Sequence, residues 1–315
     1  MASMQAVRIH EYGGPEVLRL EEAPRPDPAA AEVLVRVHGA GVNAIDWKVR
    51  AGLAREAIPH SLPLVPGWDV SGTIEWMGPS VRGFEHGDEV FTRLDVRRDG
   101  AYADYVTVPA EDLARKPRSI DHLHAAAVPL AGLTAWQALF DPANAGLRPG
   151  QTILVHGGAG GVGHFAVQLA KWRQARVIAT GSQGNEGFLR ELGADLFVDH
   201  TAVRFESVAK EVDVVFDTVG GDTQARSWAV LRPGGALVTT VALDIPAEAR
   251  QRDLRGSQVA TRTDARQLEE LGGLIDNQVV RPVLSRILPL GQARRAHDLI
   301  EARHVRGKLV LDVIG

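Results

Sequence analysis

The spacing of hydrophobic and polar residues changes near residue 122 of this 315-residue chain. Up to that point, short apolar or alternating runs are separated by glycine and proline, which predicts a mainly-β region. Beyond it, β-branched apolar runs alternate with amphipathic stretches, which predicts parallel strands joined by helices. The predicted strands of this second region are 152–156, 176–180, 196–199, 212–217, 236–241 and 257–262, and its predicted helices are 164–174, 186–192 and 222–231.

The C-terminal segment has a third pattern, with a helix at 264–276, a strand within 279–287, a helix at 291–303 and a final strand at 307–313. A terminal strand needs a partner, and we expect it to return to the N-terminal β region. The predicted fold class is therefore α/β, with a Rossmann-type doubly wound parallel sheet inserted in a mainly-β domain. The predicted domains are 1–122 plus 264–315 and the inserted segment 123–263.

The turn between strand 152–156 and helix 164–174 is rich in glycine, and three of its glycines fit the pattern G-x-G-x-x-G. Glycines allow the backbone to approach a pyrophosphate closely, and the unpaired amides of the helix N-terminus attract its charge. The turn therefore predicts a dinucleotide site made by Gly158, Ala159, Gly160, Gly161, Val162 and Gly163. A nucleotide-triphosphate P-loop would need Lys and Ser or Thr where His164 and Phe165 stand. A glycine turn without a ligand is the other alternative.

Composition removes several classes of function. The net charge of −4 gives no indication of a nucleic-acid surface. No apolar run reaches the length of a membrane span, and the N-terminus lacks an apolar signal region, so we expect a cytoplasmic protein without membrane partners. The absence of cysteine excludes disulfides, thiol nucleophiles and thiolate metal sites.

The end of the second predicted parallel strand indicates which nicotinamide nucleotide binds. NAD-specific sites usually place Asp or Glu there to bind the ribose 2′-hydroxyl. In this chain no carboxylate occurs before Glu186, and Ser182 is placed to donate to a 2′-phosphate. The sequence therefore predicts NADPH as the cofactor.

Several separate segments in a fixed order resemble the medium-chain dehydrogenase/reductase superfamily, and within it the zinc-independent quinone oxidoreductases and enoyl reductases. They are 11–18, 41–48, 66–72, 87–90, 133–135, the glycine turn, 216–221 and 307–311. The resemblance implies a GroES-like fold for the β domain, which would carry the substrate site. It also implies a homodimer. We expect this dimer to form through the edge of the nucleotide-domain sheet, with strand 236–241 as the candidate edge.

The resemblance also implies roles for individual residues. Asn43 and Asp46 match an Asn-x-x-Asp motif near the nicotinamide and the substrate, and they are the predicted catalytic residues. Asn43 would donate to a carbonyl oxygen, while Asp46 would orient Asn43 or Lys48 or belong to a proton path. The alternative is that both residues cap the following turn. Thr134 is expected to contact the cofactor, unless its hydroxyl bonds to helix backbone.

Further positions complete the predicted site. The family often has lysine at Asn185 and tyrosine near His200, and both residues present here are still able to donate hydrogen bonds, so they are expected at the 2′-phosphate. Residues after strand ends are expected to flank the nucleotide. They are Val219, Val241 and Leu243. Trp47 and Trp68 are predicted to line an apolar substrate pocket, with core packing as the alternative.

Zinc-dependent members of the superfamily use cysteine ligands and a Gly-His-Glu segment, which reads Gly67-Trp68-Asp69 in this chain. The pair His122 and His124 lacks supporting ligands, so we predict no metal. The expected function is that of a metal-free NADPH-dependent reductase of quinones or α,β-unsaturated carbonyls. Two alternatives stay open: an enoyl-thioester reductase of lipid or polyketide type, and a catalytically silent NADPH-binding protein with a structural or regulatory role.

Overall fold

The computed structural model describes residues 2–303 and 305–315. Its strands are β1 (Ser3–Arg8), β2 (Arg19–Pro24), β3 (Glu32–Val42), β4 (Asp69–Met77), β5 (Glu89–Arg93), β6 (Tyr105–Pro109), β7 (Ala114–Arg115), β8 (Thr152–His156), β9 (Arg176–Gly181), β10 (Leu196–Asp199), β11 (Val212–Asp217), β12 (Leu231–Thr239), β13 (Arg255–Gln258), β14 (Leu284–Pro289) and β15 (Lys308–Asp312). Its α-helices are α1 (Ala44–Arg50), α2 (His122–Ala126), α3 (Pro129–Phe140), α4 (Gly163–Trp172), α5 (Glu186–Glu191), α6 (Gly221–Ser227), α7 (Ala247–Gln251), α8 (Ala265–Asp276) and α9 (Ala293–Glu301). Within the described residues, none of these helices combines the length and hydropathy that a membrane span requires.

The chain divides into two compact units, the first made of 1–130 with 263–315 and the second of 131–262. The N-terminal boundary therefore lies at residue 130 and not at the expected residue 122. The reason is that α2 packs on β3, β4 and β15, which are strands of the first unit. Ala126 of α2 and the following Ala127 are buried in one apolar cluster with Val310 of β15.

The first unit contains a mostly antiparallel sheet with strand order β14-β15-β3-β4-β5-β7, and β6 also pairs with β3. The C-terminal strand β15 pairs antiparallel with β3, with Leu309 opposite Val42 and Leu311 opposite Ala40. This pairing confirms the expected return of the final strand to the N-terminal β region. It also places the start of β15 beside the end of β3.

The second unit contains a wholly parallel six-stranded sheet with order β10-β9-β8-β11-β12-β13. Two sets of three strands run outward from β8 and β11, which is the doubly wound arrangement that the alternation of strands and helices predicted. The expectation that strand 236–241 forms a sheet edge is wrong. β12 is paired on one side with β11 and on the other with β13, so the edges are β10 and β13.

Candidate active site and nucleotide-binding turn

The glycine turn of the second unit runs from the end of β8 to the start of α4 with very little space between its own segments. A Cβ atom at Gly163 would lie 2.1 Å from the carbonyl oxygen of Gly157 and 2.9 Å from the Cα of Gly158. Gly157 itself has a φ of 67°, in the left-handed region that favours glycine. At Gly160 a Cβ would meet only the carbonyl oxygen of Gly157, at 3.3 Å. The turn is thus a close-packed backbone cradle, which fits a pyrophosphate.

Neighbouring strands hold this turn in place. The N–H of Gly158 donates to the carbonyl of Thr180 at 3.0 Å, and the N–H of Gly157 donates to the Thr180 hydroxyl at 3.3 Å. His156 lies beneath the turn and contacts the hydroxyls of Thr180 and Ser227 at 3.2 and 2.9 Å. Burial lowers the pKa of His156 to about 4, so the ring is neutral near pH 7. The anchoring roles of Thr180 and His156 were not predicted from the sequence, because they depend on strand register.

The residues expected at the 2′-phosphate position meet at the end of β9. The Asn185 amide donates to the Ser182 hydroxyl at 3.0 Å, and the backbone N–H of His200 donates to the carbonyl of Gly181 at 3.1 Å. The first carboxylate after the strand, Glu186, is bound by Arg190 at 2.8 Å. This strand end therefore presents hydroxyl, amide and imidazole groups.

The ends of β11 and β12 bring Gly220, the residue after Val219, against Val241. Asp217 accepts hydrogen bonds from the N–H groups of Val219 and Gly220 at 2.9 and 3.0 Å, which fixes the turn after β11. A Cβ at Gly220 would lie 2.7 Å from Val241. Val219 is 47% exposed, and Leu243 is half-buried against the core of this unit. Their contact with a nucleotide stays a prediction.

Thr134 lies in the second unit, on α3. Its side chain is buried, and its hydroxyl hydrogen-bonds with the hydroxyl of Thr261 at 2.8 Å. The expected contact between Thr134 and the cofactor stays a prediction.

In the first unit, Asn43 is the N-cap of α1 and Asp46 is the third residue of that helix. The backbone N–H of Asn43 donates to the Asp46 carboxylate at 2.8 Å, which is the capping arrangement that was the alternative to a catalytic role. The Asn43 side chain points to a different partner, since its Nδ2 donates to Asp69 at 2.8 Å. Both side chains are buried. Capping and a chemical role are thus compatible for Asn43.

Asp69 and Lys308, together with Tyr102, complete a buried polar cluster around Asn43 and Asp46. Lys308 donates to Asn43 Oδ1 and lies 3.4 Å from Asp69 Oδ2, and it is only 3% exposed. Asp69 begins β4 and Lys308 begins β15, so the strand order places both beside the end of β3. Neither was identified as a site residue from the sequence, although both belong to the segments that carry the family resemblance.

Asp46 is fully buried, and only one of its carboxylate oxygens is hydrogen-bonded. Tyr102 donates its hydroxyl to Asp46 Oδ2 at 2.9 Å, whereas Oδ1 has no partner among the described residues. Burial raises the pKa of Asp46 from its ordinary value of 3.8 to about 7. The negative charge of Asp69 raises this pKa further, and the positive charge of Lys308 lowers it. Asp46 therefore holds a proton through much of the acidic range.

This raised pKa predicts a specific change in pH-dependent stability for Asp46→Asn. The carboxyl of Asp46 ionises near pH 4 in the unfolded chain but stays protonated to about pH 7 in the folded one. Its contribution to the free energy of unfolding is therefore complete below pH 4 and is lost as the pH rises through 7. The variant keeps an oxygen acceptor for Tyr102 and does not ionise. We expect its unfolding free energy to rise relative to wild type between pH 4 and 7, by on the order of 4 kcal/mol. Urea denaturation across that range measures this, and parallel profiles would contradict it.

The two predicted pocket tryptophans have different surroundings. Trp68 is 1% exposed, belongs to the hydrophobic core of the first unit, and donates its indole N–H to the carbonyl of Arg98 at 3.0 Å. The substrate-pocket interpretation of Trp68 is therefore corrected to core packing, because a side chain this buried has no surface to offer a ligand. Trp47, on α1, is half-buried and stays a candidate pocket residue.

The chain matches a family model described as an alcohol dehydrogenase GroES-like domain over residues 29–118, and one described as a zinc-binding dehydrogenase over residues 192–311. It is 33% identical over 324 residues to a 2-methylene-furan-3-one reductase of Solanum lycopersicum, which covers 99% of this chain and 80% of the relative. The solved quinone oxidoreductase of Coxiella burnetii is similar with a TM-score of 0.90 and 34% identity, covering 99% of this chain and 100% of that one. A quinone oxidoreductase of Escherichia coli complexed with NADPH is similar with a TM-score of 0.88 and 30% identity, covering 99% and 100%.

One of these family descriptions names zinc, and the residues of this chain do not fit a zinc site. Zinc is held by cysteine, histidine and carboxylate ligands, and the chain has no cysteine. In the part of the chain that the structure describes, no three His, Asp or Glu side chains are arranged to hold a metal ion. The Asp69 carboxylate is already bonded to Asn43, Lys308 and the N–H of Leu130.

The pair His122 and His124 has ordinary structural partners. His122 contacts the Ser71 hydroxyl at 2.8 Å and Glu89 at 3.2 Å, and burial lowers its pKa to about 4. His124 contacts Asp121, the N-cap residue of α2, at 2.7 Å.

Proposed function

Because the chain belongs to the medium-chain dehydrogenase/reductase superfamily, in the group of quinone oxidoreductases and enone reductases, we propose that it transfers hydride from a reduced nicotinamide nucleotide to quinones or α,β-unsaturated carbonyl compounds. The similarity over 99% of the chain to relatives named for both kinds of acceptor carries this conclusion. The backbone cradle at Gly163 supports the nucleotide part of it.

NADPH is the nucleotide that we propose for this chain. Between β9 and Glu186 the chain has no carboxylate that would repel a 2′-phosphate, and Ser182, Asn185 and His200 lie there as hydrogen-bond donors. Asp199 of β10, which is opposite Gly181, is bonded to the Thr201 hydroxyl at 2.7 Å. The E. coli relative is named as a complex with NADPH. Gly158 to Gly163 would hold the pyrophosphate against the N-terminus of α4.

We expect Ser182→Ala to test this preference. A hydrogen bond to a charged group contributes about 1.5–3 kcal/mol, so loss of the hydroxyl should raise the KM for NADPH about tenfold or more. The KM for NADH, which has no 2′-phosphate, is the internal control and should stay unchanged. Steady-state kinetics with both nucleotides measures the effect. Equal changes for the two nucleotides, or a wild type that prefers NADH, would contradict the assignment.

The reduced nicotinamide supplies the hydride, and the protein supplies charge and position. We propose that Asn43 Nδ2 donates to the carbonyl oxygen of the acceptor and stabilises the negative charge that develops there. Asp46 accepts from the backbone N–H of Asn43, and with its pKa raised to about 7 it exchanges its proton near neutral pH. Quinones and enones fit this site, because their conjugation makes them electrophilic without the metal that the residues do not provide.

A panel of acceptors separates the proposed function from its two rivals. Oxidation of NADPH, followed by the loss of its absorbance, should occur with para-quinones and alkenals and not with saturated ketones. It should persist after treatment with a chelator. Turnover restricted to enoyl thioesters would favour a lipid or polyketide reductase. Tight binding of NADPH without turnover of any acceptor would favour a silent nucleotide-binding protein.

We propose that the chain forms a homodimer through an edge of the parallel sheet. Because β12 is internal, the edges available are β10 and β13. Light scattering after size-exclusion chromatography should give twice the mass of the chain.

A further inference from the structure

We propose that Lys308 and Asp69 are positioning residues that lock the side-chain amide of Asn43 with one Nδ2–H left to bind the oxygen of the acceptor. This inference rests on the proposed function, because it assigns the group that receives the acceptor. It concerns residues of the first unit alone.

The ammonium group of Lys308 has three hydrogens and three acceptors. It donates to the carbonyl of Val42 at 3.1 Å, to Asn43 Oδ1 and, more weakly, to Asp69 Oδ2 at 3.4 Å. Both oxygens of Asp69 are bonded as well, since Oδ1 accepts from the N–H of Leu130 at 2.7 Å and Oδ2 accepts from Asn43. The two charges are thus bound to each other and to the two ends of the Asn43 amide.

Charge alone decides which way the Asn43 amide faces. A rotation by half a turn would place its NH₂ group against the Lys308 ammonium and its oxygen against the Asp69 carboxylate, so both contacts would become repulsive. In the observed orientation one Nδ2–H is bound to Asp69 and the other has no acceptor among the described residues. A buried donor without an acceptor is unfavourable, and a substrate oxygen would satisfy it.

The plain alternative is that Lys308 and Asp69 form a buried ion pair that serves folding only. The first unit offers a matched control in Lys116, which is also buried, at 9% exposure. Lys116 donates to the carbonyls of Pro117 and Ile120 and lies 3.4 Å from Glu89, and it makes no contact with Asn43. Loss of either lysine removes a buried cation, but only loss of Lys308 frees the amide.

The test compares Lys308→Met with Lys116→Met. We expect kcat for quinone reduction to fall about 10- to 100-fold in Lys308→Met, because a misplaced donor no longer meets the acceptor, while the dissociation constant of NADPH stays unchanged. Lys116→Met should keep the wild-type kcat even if its thermal unfolding midpoint drops as far. Because Lys308→Met leaves the Asp69 charge buried and unpaired, the double variant Asp69→Asn/Lys308→Met provides a second protein that lacks both charges. It should show the same loss of kcat.

A measurement without turnover separates this inference from the proposed function. The NMR signals of the Asn43 side-chain amide, identified by their disappearance in Asn43→Ala, should show two widely separated proton shifts in the unliganded wild type. They should draw together in Lys308→Met. Wild-type kcat in Lys308→Met and in the double variant, or an equal loss of kcat in Lys116→Met, would overturn the positioning role. A wild type that reduces no quinone or enone would instead overturn the proposed function. The amide signals would still show whether Lys308 and Asp69 fix the orientation of the Asn43 side chain.

Discussion

Gly160→Asp is expected to weaken NADPH binding by about 100-fold or more. A Cβ at this position meets only the carbonyl oxygen of Gly157 at 3.3 Å, so a shift of this carbonyl by a few tenths of an ångström accommodates the side chain. The new carboxylate would lie beside the proposed pyrophosphate position, and juxtaposed like charges cost several kcal/mol. Each 1.4 kcal/mol corresponds to a factor of ten in the dissociation constant. Titration of NADPH followed by its fluorescence measures the effect.

The matched control is Gly160→Asn, which has nearly the same size and no charge. We expect it to lose much less affinity than Gly160→Asp, and we expect both proteins to keep the wild-type unfolding midpoint. Equal affinities of Gly160→Asp and wild type would show that the pyrophosphate does not lie across this turn. Equal losses in both variants would assign the effect to size and not to charge.

Trp68→Ala is expected to lower the free energy of unfolding by about 3–5 kcal/mol, the range measured for large-to-alanine changes of buried aromatic residues. Trp68 is among the largest fully buried side chains of the first unit, and its removal also takes away the indole donor from the carbonyl of Arg98. Denaturant unfolding followed by circular dichroism measures the change.

Trp47→Ala provides the comparison, because Trp47 is half-buried on α1 and lies in the same unit. Its loss should change the unfolding free energy little and should raise the KM for quinones if the ring contacts the acceptor. A Trp68→Ala protein with wild-type stability and a raised KM for quinones would reverse the assignment of Trp68 to the core.

The regular elements were largely predictable, because they follow from short-range periodicity and from the need to pair strands. The doubly wound sheet and the return of β15 to β3 are of this kind. The expected strand within 279–287 begins later, at Leu284. Gln278 adopts a φ of 59°, and the N–H groups of Val279 and Val280 both bond to the carbonyl of Leu274. Val279 and Val280 therefore cap the C-terminus of α8 and do not belong to a strand. The high β propensity of valine predicts the opposite.

The candidate site was predictable only where its members are close in the chain. Asn43 and Asp46 are three residues apart and share one capped helix. Asp69 and Lys308 lie 26 and 265 residues from Asn43, and only the strand order of the first sheet brings them together. The burial of Trp68 was not predictable either, because a pattern of apolar residues does not show which of them face a ligand and which face the core.

The pairing of β15 with β3 has a consequence for how the protein is made. Synthesis from the N-terminus delivers residues 131–262 before β15 leaves the ribosome, so the second unit is complete while the first unit still lacks a strand. Lys308, which donates to Asn43, emerges after the whole of the second unit. A nascent chain that stops short of β15 would thus contain the whole second unit, while the polar cluster around Asn43 would lack Lys308.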